Sequence, residues 1–444
     1  MSTLVVRTIQ TPDGSPVSFP NGIRIGTAIG AGTMNNIGTP GQQGFGVGIA
    51  PSLPTGFSKL YGTEDPTSDT YGNYQTTDGS VMCYIPAFYY KFGTGANGYA
   101  LNVCDIKPFS YFEAVASAAA AGYALHRAFY NGGSVRPGFF VDKYLVSKNG
   151  TVASSVKNGV ALASATRTLA TTPYSSIGQT DNYRGSIGVA KTRGSSFHAK
   201  TIFQNSALAL LSLAHASAAT GSTYCAWYSA TSTNYPKGCN NAALGDANDA
   251  TIAYTSDGTT GVTGKTGSAN FLAKTTHNGM NSGVADLNGL LWETTIGLTS
   301  DGTNYYLLNT SVDVNTITAG STLATDAWGA TGLAAMYTNI GATYGALTAS
   351  NGNKPFGSAA QVLSEATSGT AWAMAGAGIP LATGTGGSNQ FGNDYMLDYR
   401  PAEMCPLVGG NWSNSVYAGV WAVYCNNVAG TSSDDVGCRS ACYL

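Results

Sequence analysis

Charge is scarce in this chain. Lys, Arg, Asp and Glu together make up 10% of its 444 residues, against about 25% in an ordinary soluble domain. Solubility must therefore rest on Gly, Ser, Thr and Asn. The 21 basic and 23 acidic side chains give a formal charge of −2. No basic stripe is present, which argues against a nucleic-acid partner. Long apolar runs are missing too. The Ala-rich stretches at 114–121 and 207–219 fall short of the ~20 predominantly apolar residues that a membrane span needs, so no membrane insertion is expected. The opening Met1-Ser-Thr-Leu-Val-Val-Arg has no basic region followed by an apolar one, so no signal peptide is read there.

Chemistry-bearing patterns are equally sparse. The eight cysteines form no Cys-x-x-Cys pair, and Cys438 and Cys442 have no histidine at zinc-finger spacing. They read as reduced, buried thiols, and neither metal nor cofactor is expected. None of His126, His198, His215 and His277 opens a His-x-x-x-Glu pattern, and His215 reads as a satisfied structural residue. A Gly-x-Ser-x-Gly elbow and a full Gly-x-x-x-x-Gly-Lys-Ser/Thr phosphate loop are both absent. Glycan hydrolysis would need two carboxylates ~5–9.5 Å apart. Asp286 and Glu293 lie close in sequence but read as structural. Asp394, Asp398 and Glu403 suit acid/base or calcium-binding roles as well as solvated loops. Asp434-Asp435 suits a turn cap or a cation.

What is present is Gly (58 residues), Tyr (26 residues) and 43% hydrophobic content, enough for a real core. This balance is common in secreted or virion surface proteins and unusual for a cytosolic enzyme. Residues 1–52 stand apart, with short strands broken at Pro12-Asp13-Gly14 and Asn21-Gly22 and then a Gly-rich run. The segment is too small for its own core and is expected to serve attachment or oligomerisation. From residue 53 the chain reads as globular. Strands are expected at Val81–Phe92 (with Pro86 at an edge or bulge), from Gly138 to Ser147 and from Leu287 to Leu298. Helices are expected over Pro108–Arg127 and Ala199–Ala218, the second with Phe203, Ala207, Leu210, Leu211 and Ala214 along one apolar face. Residues 319–392 form a long Gly/Ala/Thr insertion.

The final forty residues are the most informative. Between Gly409-Gly410-Asn411-Trp412 and Gly437-Cys438-Arg439 lie Ser413, Asn414, Tyr417, Trp421, Tyr424, Asn426 and Asn427. Aromatics mixed with small amides and hydroxyls suit recognition. Trp412 and Trp292 read as core anchors. Trp421 and Tyr424 are ambiguous, because strand alternation sends one of each neighbouring pair inward.

Four blocks follow in order: Gly138-Phe-Phe-Val-Asp-Lys-Tyr-Leu-Val-Ser, the helix around 197–218 preceded by Ala190-Lys-Thr-Arg-Gly, Gly283-Val-Ala-Asp-Leu-Asn-Gly-Leu-Leu-Trp-Glu, and the final block. This order resembles the C-type-lectin-like fold of formylglycine-generating-enzyme-like proteins and of phage variable receptor-binding proteins. It looks closest to phage tail-fibre sequences, as do Asp78-Gly-Ser-Val-Met-Cys-Tyr-Ile-Pro-Ala-Phe-Tyr-Tyr-Lys and Pro236-Lys-Gly-Cys-Asn-Asn. Where the family ends Gly-Phe-Arg, this chain has Gly437-Cys438-Arg439. The resemblance implies an α+β, loop-rich C-type-lectin-like domain over 53–444, with a small antiparallel sheet, two helices and long insertions. The ligand-facing block is 409–442, and Ser413, Asn414, Tyr417, Trp421, Tyr424, Asn426 and Asn427 are the expected ligand contacts. The implied role is non-catalytic host adhesion by a phage tail fibre. Its partners would be a bacterial surface glycan, pilus or outer-membrane protein, and other virion tail proteins. The expected assembly is a homotrimer, made in the host cytoplasm and carried on the virion tail. A structural baseplate or fibre component and an enzyme on the same fold are the rivals. A formylglycine-generating enzyme needs a reactive cysteine pair in the last block, and only Cys425 lies between Trp412 and Gly437.

Overall fold

The computed structural model describes residues 34–94, 103–231, 235–259, 262–318, 336–345, 347, 352–355, 363–382, 391 and 394–444. The chain divides into two compact units, Met1–Ala31 and Gly32–Leu444. The strands expected before residue 33, and most of the 319–392 insertion, lie outside the described residues. Residues 34–50, placed with the N-terminal segment on sequence grounds, belong to the larger unit. There Ile37, Phe45, Val47 and Ile49 are buried in the main core.

The larger unit is α+β and loop-rich, as expected, with short strands in several small sheets and four described α-helices. One six-stranded sheet runs Phe57–Lys59, Asn73–Thr76, Val81–Pro86, Gly138–Asp142, Ser440–Tyr443, Phe197–Ala199 in spatial order. All of its pairings are antiparallel, with Val141 opposite both Cys83 and Ala441. The Val81–Phe92 run is two strands, because Pro86 closes the first and Phe88–Phe92 joins a different sheet. The second six-stranded sheet runs Gly352–Pro355, Tyr395–Asp398, Gly419–Tyr424, Leu407–Gly409, Trp292–Thr294, Val436–Gly437. It is mixed, since two of its pairings are parallel.

The long helix Ile202–Ala218 starts at a capping box in which Thr201 and Gln204 exchange side-chain and backbone bonds. It is buried on all sides from Ile202 to Ala216, beyond the single apolar face read from its pattern. Its polar groups tolerate this because they are bonded. Ser212 donates to the carbonyls of Leu208 and His277, and His215 Nδ1 accepts from the Gly41 amide at 3.0 Å. The helix expected over Pro108–Arg127 shrinks to Val115–Ala120. Gly122 (φ +77°) turns the chain, and Ala124–Leu125 leaves as a strand. A helix at Asn182–Lys191 escaped the pattern because Gly185 and Gly188 weaken it. Gly185 is needed for close packing: a Cβ there would meet the Thr180 carbonyl oxygen at 2.2 Å.

A buried ionic hub joins the two large sheets. Arg439 Nε donates to both Glu293 oxygens (2.9 and 3.0 Å), and Lys200 Nζ donates to Glu293 Oε2 (2.6 Å). The Arg439 guanidinium also donates to the carbonyls of Asp142, Lys143, Ala285 and Asp286. Burial pushes the Glu293 carboxyl up, but the Arg439 and Lys200 charges more than reverse this, so its pKa falls below the ordinary value. Burial brings Lys200 down to about 8, against the pull of Glu293. All eight cysteines are buried and none is in a disulfide. Cys438 fills a small cluster with Val146, Leu162, Tyr174 and Val189.

Candidate functional site: an aromatic face on the mixed sheet

The Asn411–Tyr417 turn is built from backbone bonds outward. Gly410 (φ +85°) opens it, and a Cβ there would lie 2.6 Å from Ala418 Cβ. The Trp412 amide donates to Leu290 O (3.0 Å), the Ala242 amide to Trp412 O (2.8 Å), and the Ser415 amide to Asn240 O (2.7 Å). Trp412 itself is half-buried against Leu145, Cys239, Leu290 and Leu291. Asn411 Oδ1 accepts from Ser413 N, its amide donates to Asn414 Oδ1, and its Nδ2 reaches Asp435 at 2.7 Å. Asp435 thus ties the turn down. The turn is stiff in its main chain, yet Ser413 and Tyr417 remain exposed and Asn414 half-buried.

Next comes the Gly419–Tyr424 strand, the central ribbon of the mixed sheet. Gly419 approaches Asp394 so closely that a Cβ would meet its carboxylate at 2.0 Å. Asp394 is buried and accepts from the Trp421 amide at 3.1 Å. Burial raises its pKa well above the carboxylate range, and the Trp421 bond only partly opposes this.

Trp421 corrects the sequence reading. It is 2% exposed, sits in the main core and meets the Phe391 ring edge-on at 6.2 Å. It therefore lies beneath the face, with its ring closed off from solvent. The ribbon is covered on both sides, so its alternation carries no inward or outward signal. Tyr424 points the other way, toward Trp292, Leu407, Ala422 and Val436, and stays half-buried.

On that side four rings form a row. Tyr417 meets Tyr395 edge-on at 5.4 Å, Tyr395 meets Tyr424 at 6.3 Å, and Tyr424 stacks on Trp292 at 5.1 Å. Tyr395 was missed in the sequence, although it sits between the acidic residues Asp394 and Asp398. Only parallel pairing with the ribbon, Met396 opposite Val423, brings it to the face. Burial, with Tyr424 and Tyr417 adding to it, pushes the Tyr395 hydroxyl up to about 12, so it stays a neutral donor. The row ends in solvent at Tyr417, which is 50% exposed.

Asn426 and Asn427 lie past the far end of the ribbon, roughly 20 Å along the strand direction from the turn. Asn426 is exposed, and Asn427 is half-buried with its Nδ2 donating to Asn426 Oδ1 at 2.9 Å. Tyr399, 39% exposed, leaves the neighbouring parallel strand at this same end. The seven expected contacts therefore separate into Ser413, Asn414 and Tyr417 at one end, Asn426 and Asn427 at the other, Tyr424 between them, and Trp421 below.

The rival catalytic groups are held in structural bonds. Asp286 accepts from Tyr254 Oη (3.0 Å) and the Gly267 amide (2.6 Å), Glu293 belongs to the ionic hub, and Asp398 accepts from Tyr305 Oη (2.5 Å). Burial raises the Cys425 thiol and takes Cys438 up to about 12, away from thiolate chemistry. Among the described residues, no group of three or more His, Cys, Asp or Glu is placed to hold a metal ion, and no helix is long and apolar enough to cross a membrane.

No protein-family model and no curated protein matches the chain. Among solved structures, the Major Tropism Determinant U1 variant is similar at 11% identity and TM-score 0.30, over 83% of this chain and 64% of that one. The P3c variant is similar at 13% identity and TM-score 0.30, over 88% and 73%. PvdO from Pseudomonas aeruginosa is similar at 10% identity and TM-score 0.31, over 84% and 98%. At these values none of them assigns a function to this chain.

Proposed function

We propose that the chain is a non-catalytic receptor-binding protein of a phage tail fibre, with a C-type-lectin-like domain that grips a bacterial surface molecule. The observation that carries this reading is the aromatic row that surfaces at Tyr417 on a turn clamped by backbone bonds. A rigid platform with an exposed aromatic and nearby hydroxyls and amides spends little conformational entropy on binding. The contact set is Ser413, Asn414, Tyr417, Tyr424, Asn426 and Asn427, joined by Tyr399, backed by the buried Tyr395 and without Trp421. Binding energy concentrates in the tyrosines, with the polar groups around them excluding water.

The four ordered sequence blocks support the tail-fibre assignment, and the low charge suits a virion surface. In this reading the part of the N-terminal segment that precedes the larger unit attaches or oligomerises the fibre, and the protein works as a homotrimer in contact with other tail proteins. Three copies then act together by effective concentration, so a weak single site suffices.

The test is attachment of the purified protein to a panel of bacterial strains, with and without surface polysaccharide. Tyr417→Ala should reduce attachment at least tenfold, Asn426→Ala less, and neither should alter assembly. Unchanged attachment by the Tyr417→Ala, Asn426→Ala double variant would overturn the reading in favour of a purely structural fibre component.

A further inference from the structure

Among the described residues, three arginines with buried guanidinium groups come with carboxylates. Arg439 has Glu293, Arg193 has Asp142 at 2.5 Å, and Arg167 has Asp257 at 3.4 Å. Arg127 is the exception. It is 3% exposed, yet none of the ion pairs among the described residues includes it. Its Nη1 and Nη2 donate to the carbonyls of Tyr130 (2.9 Å) and Leu308 (3.0 Å), and its plane lies 4.3 Å over the Phe203 ring. Two carbonyls use two of the five N–H donors and neutralise no charge. Burial lowers its pKa to about 10, with Tyr443 and Tyr130 opposing, so it remains a cation at neutral pH. An unpaired buried charge is costly, and an anion brought to it gains more than it would at the surface.

Arg127 lines an open cleft of about 220 Å³ between the Tyr305–Leu308 and Tyr337–Gly341 strands and the helix Gly369–Gly376. Thr310 and Thr370 bring hydroxyls to the lining, and Ile340, Ala373 and Trp372 bring apolar surface. Trp372 is fixed in advance, with its Nε1 donating to Leu125 O at 2.8 Å and its ring edge-on to Tyr130. The volume is below the ~300 Å³ at which pockets for drug-sized ligands begin, which suits one ring. A pyranose has an apolar C–H face and a hydroxyl edge, which a lining of apolar and hydroxyl-bearing residues suits, and a carboxylate on it would meet the Arg127 charge through the donors that the two carbonyls leave over.

We propose that this cleft is a second ligand site that binds a single acidic sugar unit, its carboxylate paired with Arg127. It shares no residue with the aromatic face, so it stands or falls independently of the adhesion reading.

Calorimetric or saturation-transfer NMR titration of the full chain with glucuronate, its methyl ester and glucose tests the site. Glucuronate should bind saturably, and the neutral ester and glucose at least tenfold more weakly. Arg127→Lys, which keeps the charge and loses the fork, should weaken glucuronate at least tenfold. If that variant does not fold, Ala373→Phe, which fills the cleft, gives the same readout with Arg127 intact. No saturable glucuronate binding, equal binding of the ester, or binding that survives Ala373→Phe would overturn the proposal.

Discussion

Trp292 and Glu293 are neighbours in one strand and live in opposite environments. Glu293 turns into the ionic hub with Arg439 and Lys200. Trp292 turns to the other side of the sheet, under Tyr424 and the ring row that surfaces at Tyr417. The hub is dry, charged and committed to many partners at once, so any change there leaves a buried charge or carbonyl unpaired. The ring row is held by stacking and edge contacts, which tolerate replacement of the outermost member. One sheet thus separates a side that must stay fixed from a side free to vary in what it presents.

The strongest way to break this contrast is Arg439→Met. It strands Glu293 beside a lone Lys200 and orphans four carbonyl contacts, and should cost about 3–5 kcal/mol. Chemical denaturation measures the loss, and a change under about 1 kcal/mol would show that the sheets are held elsewhere. Trp421→Ala should cost roughly 3 kcal/mol as a core cavity, appearing as a lower unfolding midpoint before any effect on attachment. A variant that unfolds normally but no longer attaches would instead place Trp421 on the ligand side.

Asp394 sharpens the comparison through pH. Its carboxyl is raised, so it favours folding most at low pH, and that contribution is lost as pH climbs above about 4, the range where an unfolded Asp ionises. Asp394→Asn removes the dependence. Its unfolding temperature relative to the parent should rise between pH 5 and pH 8, and a difference flat across that range would mean that the folded carboxyl is already ionised. The smallest stability effect is expected for Tyr417→Ala, which loses one edge-to-face contact worth about 1 kcal/mol. Thermal unfolding checks this, and a loss as large as that of Trp421→Ala would make Tyr417 part of the core.

Much of the architecture was legible. The long helix and the Trp292 anchor stand where local pattern put them, and the strand expected from Gly138 to Ser147 is present over its first half, Gly138–Asp142. Each rests on features a short window contains: an apolar face at helical spacing, a β-branched and aromatic run, a large aromatic in an apolar stretch. The ring row was only partly legible. Tyr417 and Tyr424 were read, but Tyr395 reaches them through a parallel pairing that no local window encodes. Trp421 was misplaced for a related reason. Where both sides of a strand are covered, polarity does not alternate, and only the tertiary neighbours decide which ring points inward. The helix at Asn182–Lys191 was hidden by its glycines, of which Gly185 serves close packing, not propensity.

The strand Ser440–Tyr443 lies between Gly138–Asp142 and Phe197–Ala199 in the first sheet. A ribosome that has made only the first four hundred residues has therefore released the two flanking strands without the one that joins them. Arg439, which precedes that strand, is likewise still to come for Glu293. Closure of the first sheet thus waits on residues 440–443, and a nascent chain stalled before them would offer quality-control proteases an unsealed sheet.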